Sequence, residues 1–184
     1  MKGLIICNAH RLIYPELVFQ RIADQIELLE NPMSPAESRR RPDLLAEVEV
    51  LFTGWGAPRL GEETLEKMPR LKAVFFGGGN TNSLVTEAFW ERNIHLSTAA
   101  HANSIPVAEF TYSQILLSLK HYWELSRSMK ALRKYPDFKR RHDIPSCYNS
   151  HVGLISLGRI GRLVCERLKN HPIFVSIYDP YLDY

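Results

Sequence analysis

The chain has 184 residues, room for one large domain or two small ones. Its 23 Lys and Arg against 20 Asp and Glu give a formal charge of +3, too balanced to mark a nucleic-acid surface, and 45% apolar residues is the share of an ordinary globular protein. Three cysteines, Cys7, Cys147 and Cys165, show neither metal nor redox spacing and fit a reducing compartment, and no apolar stretch approaches the length of a membrane span.

Met1-Lys2-Gly3 leads straight into an apolar run ending at Asn8, so no signal peptide and a cytoplasmic location are expected. Residues 3–7 (GLIIC) predict a buried strand. Leu17, Val18, Ile22, Ile26 and Leu29 then recur at helical spacing. Residues 31–42 hold three prolines and the run Arg39-Arg40-Arg41, and predict a loop. Like Lys139-Arg140-Arg141, that run reads as a solvated loop, with attraction of a phosphate or an acidic substrate as the alternative.

Three further strands are predicted, at 48–52, 71–76 and 94–97, with short helices at 62–68 and 86–92 between them. The strands lead into Thr53-Gly54-Trp55-Gly56, Gly77-Gly78-Gly79-Asn80 and Thr98-Ala99-Ala100-His101-Ala102-Asn103. Strands alternating with helices predict a parallel sheet covered on both faces, and ligands of such sheets bind outside the carboxyl ends of the strands. Residues 106–134 predict one long helix opening at Pro106, roughly 40 Å at 1.5 Å per residue, bridging to a further domain or a subunit contact. Residues 135–149 form a Pro- and charge-rich connector. No repeat or low-complexity segment is found.

The most informative stretch is 151–179. A short apolar run (152–155) is followed by Ser156-Leu157-Gly158-Arg159-Ile160-Gly161, then by Ile160, Leu163, Val164 and Leu168 at helical spacing. A second run, rich in β-branched residues (173–177), ends at Asp179. This is the dinucleotide fingerprint G-x-G-x-x-G with Ser156 in place of the first glycine. Gly158 lets backbone approach a pyrophosphate, Gly161 lets the helix pack on the sheet, and the helix N-terminus offers N–H groups to phosphate. Asp179 is placed to accept from the adenosine ribose hydroxyls. The alternative is a structural turn in an α/β protein that binds no dinucleotide.

Together these pieces resemble the D-isomer-specific 2-hydroxyacid dehydrogenase family. The resemblance rests on LKAVFFGGGNTN, on VTEAFWERNIHLSTAAHANSIPVAEF, on VGLISLGRIGRLV and on IYDPY, in that order along nearly the whole chain. It implies an α/β fold with a flavodoxin-like parallel-sheet substrate domain over 1–102. The start of a Rossmann dinucleotide-binding domain follows over 103–184. It further implies NAD as cofactor, a small 2-hydroxy or 2-oxo acid as substrate, no nucleic-acid or membrane partner, and a homodimer as the complete protein. By the same resemblance, Gly78, Gly79 and Asn80 present backbone to the substrate carboxylate or the nicotinamide. Asn103 and Val107 stand where the family's loop and helix start face the nicotinamide. Ser156, Gly158, Arg159, Ile160 and Gly161 form the pyrophosphate turn, with Asp179 as the ribose acid. A tight turn without a ligand is the other reading of the glycine run, and a helix cap and core contact that of Asn103 and Val107.

The sequence also departs from the family. Asn82-Ser83 stands where Asp-Asn is frequent, and the family's catalytic Arg, Glu and His lie well downstream of the ribose acid. No catalytic residue is therefore assigned here. His95, His101 and Glu109 are the nearest substitutes: His101 in a loop at a strand's carboxyl end, Glu109 near a helix start where it favours the dipole. No metal set is recognised. Three readings compete: an NAD-dependent oxidoreductase of which this is the N-terminal part, a non-catalytic binding or regulatory protein on the same scaffold, and an inactive fragment.

Overall fold

In the computed structural model of the chain, residues 1–134 and 146–182 are described. Most of the expected connector, residues 135–145 including Lys139-Arg140-Arg141, lies outside them. The chain divides into two compact units, Met1–His101 and Ala102–Tyr184.

The first unit is built on β1 (Lys2–Ile5), β2 (Glu27–Leu28), β3 (Val50–Thr53), β4 (Ala73–Phe76) and β5 (His95–Thr98), all parallel, in the order β2-β1-β3-β4-β5. Register runs Gly3↔Val50, Val50↔Ala73 and Ala73↔His95. This is the flavodoxin-like order, with its switch point between β1 and β3. Leu4, Ile6, Leu51, Val74 and Phe76 from the strands meet Leu65, Met68 and Phe89 in one core. The last three come from α5 (Glu62–Glu66) and its exit and from α6 (Glu87–Glu91). Buried on both faces, the inner strands read as apolar runs without alternation, as parallel strands do.

Three local expectations differ. The helix begun at Glu16 stops early: α2 is Glu16–Ala23, and Ile26 and Leu29 flank edge strand β2. Spacing alone could not separate the two, since Ile26 lies over the flat surface left by Gly3, where a Cβ would overlap its Cδ1. The expected loop at 31–42 contains α3 (Pro35–Ser38) and leads into α4 (Pro42–Ala46). Ser34 and Glu37 form a reciprocal capping box, and each helix starts on proline. A short helix, α1 (His10–Ile13), follows the first strand.

The expected single helix over 106–134 is two. Helix α7 spans Ala100–Leu119 and α8 spans Tyr122–Leu132. Between them His121 adopts φ 52°, which ends the hydrogen-bond ladder, and its Nδ1 pairs with Glu124 at 3.0 Å. No Gly or Pro marks that break. At the other end α7 begins six residues before Pro106, because Ala100 and Ala102 are strong helix formers that had read as loop. Pro106 thus sits inside the helix and leaves the Ala102 carbonyl without its usual donor.

In the second unit, β6 (Ser150–Ile155) and β7 (Ile173–Tyr178) pair in parallel, from Ser150↔Ile173 to Ile155↔Tyr178. Helix α9 (Arg159–Leu168) crosses between them. Ala108 of α7 packs with Val164 and Leu168 of α9 over Val152, Leu154, Ile173 and Val175. Tyr112 Oη lies 2.6 Å from His171 Nε2. The opposite face carries His151, Ile155, Phe174 and Tyr178 and is exposed, so among the described residues this sheet is covered on one face only.

Candidate functional site

The strand–turn–helix–strand expected at 151–179 is formed: β6 delivers the chain into Ser156-Leu157, Gly158 caps α9, and β7 returns to Asp179. Each turn position now has a physical reading. Ser156 takes φ +75°, the left-handed conformation for which the fingerprint's first glycine is suited and a serine is strained. A Cβ on Gly161 would overlap the Ser156 carbonyl oxygen, so that glycine is required by helix–turn packing alone. Gly158 differs, because a Cβ there would find nothing nearer than the Ser156 Oγ at 3.8 Å. Among the described residues nothing demands a glycine at 158, and the open space over it lies at the mouth of α9. That helix has no side-chain cap, so the N–H groups of Arg159, Ile160 and Gly161 have no intrahelical acceptor. The residues present therefore fit a phosphate-bearing group in backbone approach and in dipole sign.

Asp179 is buried at the end of β7, and its carboxylate turns back onto this loop. It accepts from the Leu157 N–H at 2.6 Å and the Tyr181 N–H at 3.0 Å, with the Ser156 hydroxyl at 3.4 Å. The first of these bonds, then the second, holds the carboxyl below its ordinary value, so it is charged at neutral pH. Two oxygens with about four acceptor positions leave capacity for further donors. Leu157 and Tyr181 act here through backbone N–H groups, which no side-chain pattern announces.

In the first unit the carboxyl ends of β1, β3 and β4 converge at the switch point. Thr53 Oγ1 donates to the Ile6 carbonyl at 2.6 Å, and Tyr14 Oη donates to the Thr53 carbonyl at 2.7 Å. Burial pushes the Tyr14 phenol and the Cys7 thiol up, so both are neutral. Side chains on Gly54 or Gly77 would overlap Ile13, and one on Gly78 would stand 2.7 Å from the Phe76 ring. The chain's own side chains thus crowd all three positions. Asn80 Oδ1 accepts the Asn82 N–H at 2.9 Å and holds the loop after β4 in shape. Tyr14 and Ile13 had no motif to single them out; only the strand order reveals that the loop after β1 lies at the switch point.

One comparison decides the family. Residues 17–172 match the D-isomer specific 2-hydroxyacid dehydrogenase catalytic domain. The chain belongs to the D-isomer-specific 2-hydroxyacid dehydrogenase family. Among individual relatives, it is 30% identical over 164 residues to the D-3-phosphoglycerate dehydrogenase of Methanocaldococcus jannaschii, covering 86% of this chain and 30% of that protein. It is 25% identical over 161 residues to the Bacillus subtilis enzyme of the same name, covering 87% and 29%. The chain thus spans under a third of these relatives' length.

Solved structures agree on the fold. A D-isomer specific 2-hydroxyacid dehydrogenase from Lactobacillus delbrueckii ssp. bulgaricus, in its NAD-complexed form, superposes with a TM-score of 0.75 at 19% identity, over 100% of this chain and 55% of that one. A phosphoglycerate oxidoreductase from Rhizobium etli gives 0.73 at 18% identity, over 98% and 56%.

Within this family frame, the substitutes weighed for the missing acid and base stand differently from expectation. His101 is not in a loop but in the first turn of α7. Glu109 is the tenth residue of that helix, beyond reach of its dipole, and lies 3.8 Å from Arg167. His95 is exposed on edge strand β5. Asn103 and Val107 lie within α7, the latter 39% exposed. Among the described residues no three His, Cys, Asp or Glu side chains cluster as metal ligands, and no helix is long and apolar enough to cross a membrane.

Proposed function

We propose that this chain is part of an NAD-dependent dehydrogenase that moves a hydride between the cofactor and a small 2-hydroxy or 2-oxo acid. NAD supplies the hydride-accepting ring; the chain's residues bind and orient. Backbone at Gly158, Arg159, Ile160 and Gly161, with Ser156, holds the pyrophosphate. Asp179 accepts from the ribose hydroxyls. Gly78, Gly79 and Asn80 offer backbone to the substrate carboxylate, and Gly79 and Val107 contribute to the nicotinamide side. Residues 1–102 are the N-terminal part of the substrate domain, and residues 103–184 begin the nucleotide domain. The complete protein is a cytoplasmic homodimer in this reading.

The observation that carries it is the free space over Gly158 beside uncapped helix N–H groups, with a buried, charged Asp179 alongside. A second reading is a scaffold that binds dinucleotide without turnover. Titrating the chain with NADH, followed by fluorescence, tests the shared step. Saturable binding that is lost in Gly158→Val with the circular dichroism unchanged supports cofactor binding; equal binding by the variant overturns it.

A further inference from the structure

The first unit contains a cavity of about 320 Å³ that the dehydrogenase reading does not use. Its floor is Met68 and Leu45, both buried. Its rim carries three cations, Arg39, Arg59 and Lys67, against a single carboxylate, Glu63. The sequence brings them together from three places. Arg39 caps the end of α3, Arg59 immediately precedes Leu60, which bridges to Val85, and Lys67 caps the end of α5.

The charges are unevenly satisfied. Lys67 Nζ and Glu63 Oε1 pair at 2.7 Å one helical turn apart, so that carboxylate is already engaged. Arg39 and Arg59 make no side-chain hydrogen bond or ion pair with any described residue. Nearby arginines are placed otherwise: Arg70 reaches Glu47 at 3.0 Å, and Arg41 lies 3.8 Å from both Glu30 and Asp43. Both guanidinium groups are exposed at one concavity, and Arg39 is near enough to help Lys67 hold the Glu63 carboxyl below its ordinary value. The Ser38 hydroxyl, buried in the wall, spends its proton on the Pro35 carbonyl at 3.0 Å. Thr64 beside it adds a hydroxyl that can donate.

We propose that this cavity is a binding site for a small organic anion carrying carboxylate or phosphate groups. Guanidinium forks match both groups bidentately, and charge-assisted bonds are the strong ones. The volume lies at the lower end of the range of small-molecule sites, which suits a compact ligand of few carbons. The apolar floor would lie under its carbon skeleton. The site belongs to the first unit alone and rests on none of the residues assigned to the dinucleotide.

The test is calorimetric titration of the chain at low salt with citrate and, separately, glycerol 2-phosphate. The unaltered chain is expected to bind at least one saturably. Each of Arg39→Gln and Arg59→Gln is expected to weaken binding by about tenfold, as loss of a charge-assisted bond does. Binding of citrate alone assigns a carboxylate ligand, of glycerol 2-phosphate alone a phosphate ligand, and of both the shared chemistry. Gly158→Val is expected to leave all of this unchanged. Both arginine side chains stand at the surface, so unchanged circular dichroism is expected in either variant. Failure of both probes to bind, or binding by both arginine variants as tight as by the unaltered chain, overturns the site. Binding lost only in Gly158→Val overturns it as well and assigns the anion to the α9 turn.

Discussion

The Asp179 carboxylate accepts the Leu157 N–H at 2.6 Å and thereby ties the end of β7 to the turn leaving β6. One side chain serves the loop and remains charged beside the space over Gly158. A carboxylate there accepts a ribose 2′-hydroxyl and repels a 2′-phosphate, and Pro180 and Tyr181 follow it with no arginine to neutralise the charge. NADH is therefore expected to bind more tightly than NADPH, with the difference narrowed in Asp179→Asn. Fluorescence titration of both cofactors checks this; tighter NADPH binding by the unaltered protein would refute it.

The three special positions of the turn separate by cause. Gly161→Ala places a Cβ against the Ser156 carbonyl and is expected to destabilise the second unit whether or not a ligand is bound. Gly158→Ala meets no protein atom closer than 3.8 Å and is expected to keep its stability while losing affinity for NADH. Ser156→Gly removes a side chain from φ +75° and is expected to raise stability by about 1 kcal/mol. Urea midpoints for the three variants, with and without NADH, give the comparison. A stable Gly161→Ala would show that the turn is not packed as described.

Much of this was legible beforehand, for a physical reason. Glycine spacing, β-branched runs and a terminal acid are local, so the unit at 151–179 could be placed to within a residue or two. Interactions that join distant residues were not legible. Ile26 and Leu29 fit a helix as well as an edge strand until Gly3 is seen beneath them. His121 breaks a helix without Gly or Pro. That Ile13 packs against the glycines at 54 and 77, and Phe76 against Gly78, was not visible either. The partners of Asp179 are backbone N–H groups, and Tyr14 reaches the switch point from a loop without a motif.

Glu49 predicts the acid response of the first unit. It lies just before β3, accepts the Lys2 N–H at 2.9 Å and pairs with Lys72 before β4, joining the amino ends of three strands. The Lys72 ammonium, then the Lys2 N–H, lowers its pKa from 4.5 to about 2. The folded value is the depressed one, so the stabilisation is complete above about pH 4.5 and is lost as the pH falls toward 2. Urea midpoints measured between pH 6 and pH 2 are expected to fall across that window, and less steeply in Glu49→Gln. Parallel pH profiles for the two proteins would remove Glu49 as the cause.

The 184-residue chain alone is expected not to turn over a 2-hydroxy acid. By the resemblance, the family's catalytic Arg, Glu and His fall downstream of Asp179, and loss of the acid/base group alone forfeits about 10²–10⁴ in rate. His101 lies in the first turn of α7, and Glu109 lies 3.8 Å from Arg167. The second unit also exposes the outer face of β6 and β7, where Ile155 is 86%, Tyr178 64% and Phe174 56% accessible, and these strands pair only with each other among the described residues. Open strand edges and an apolar face invite self-association. Size-exclusion chromatography is therefore expected to show concentration-dependent oligomers, reduced in Ile155→Lys and Phe174→Lys, while NADH absorbance with a panel of 2-oxo acids stays at the rate without protein. Steady oxidation of NADH that disappears in His101→Ala would show instead that the catalytic apparatus lies within these residues.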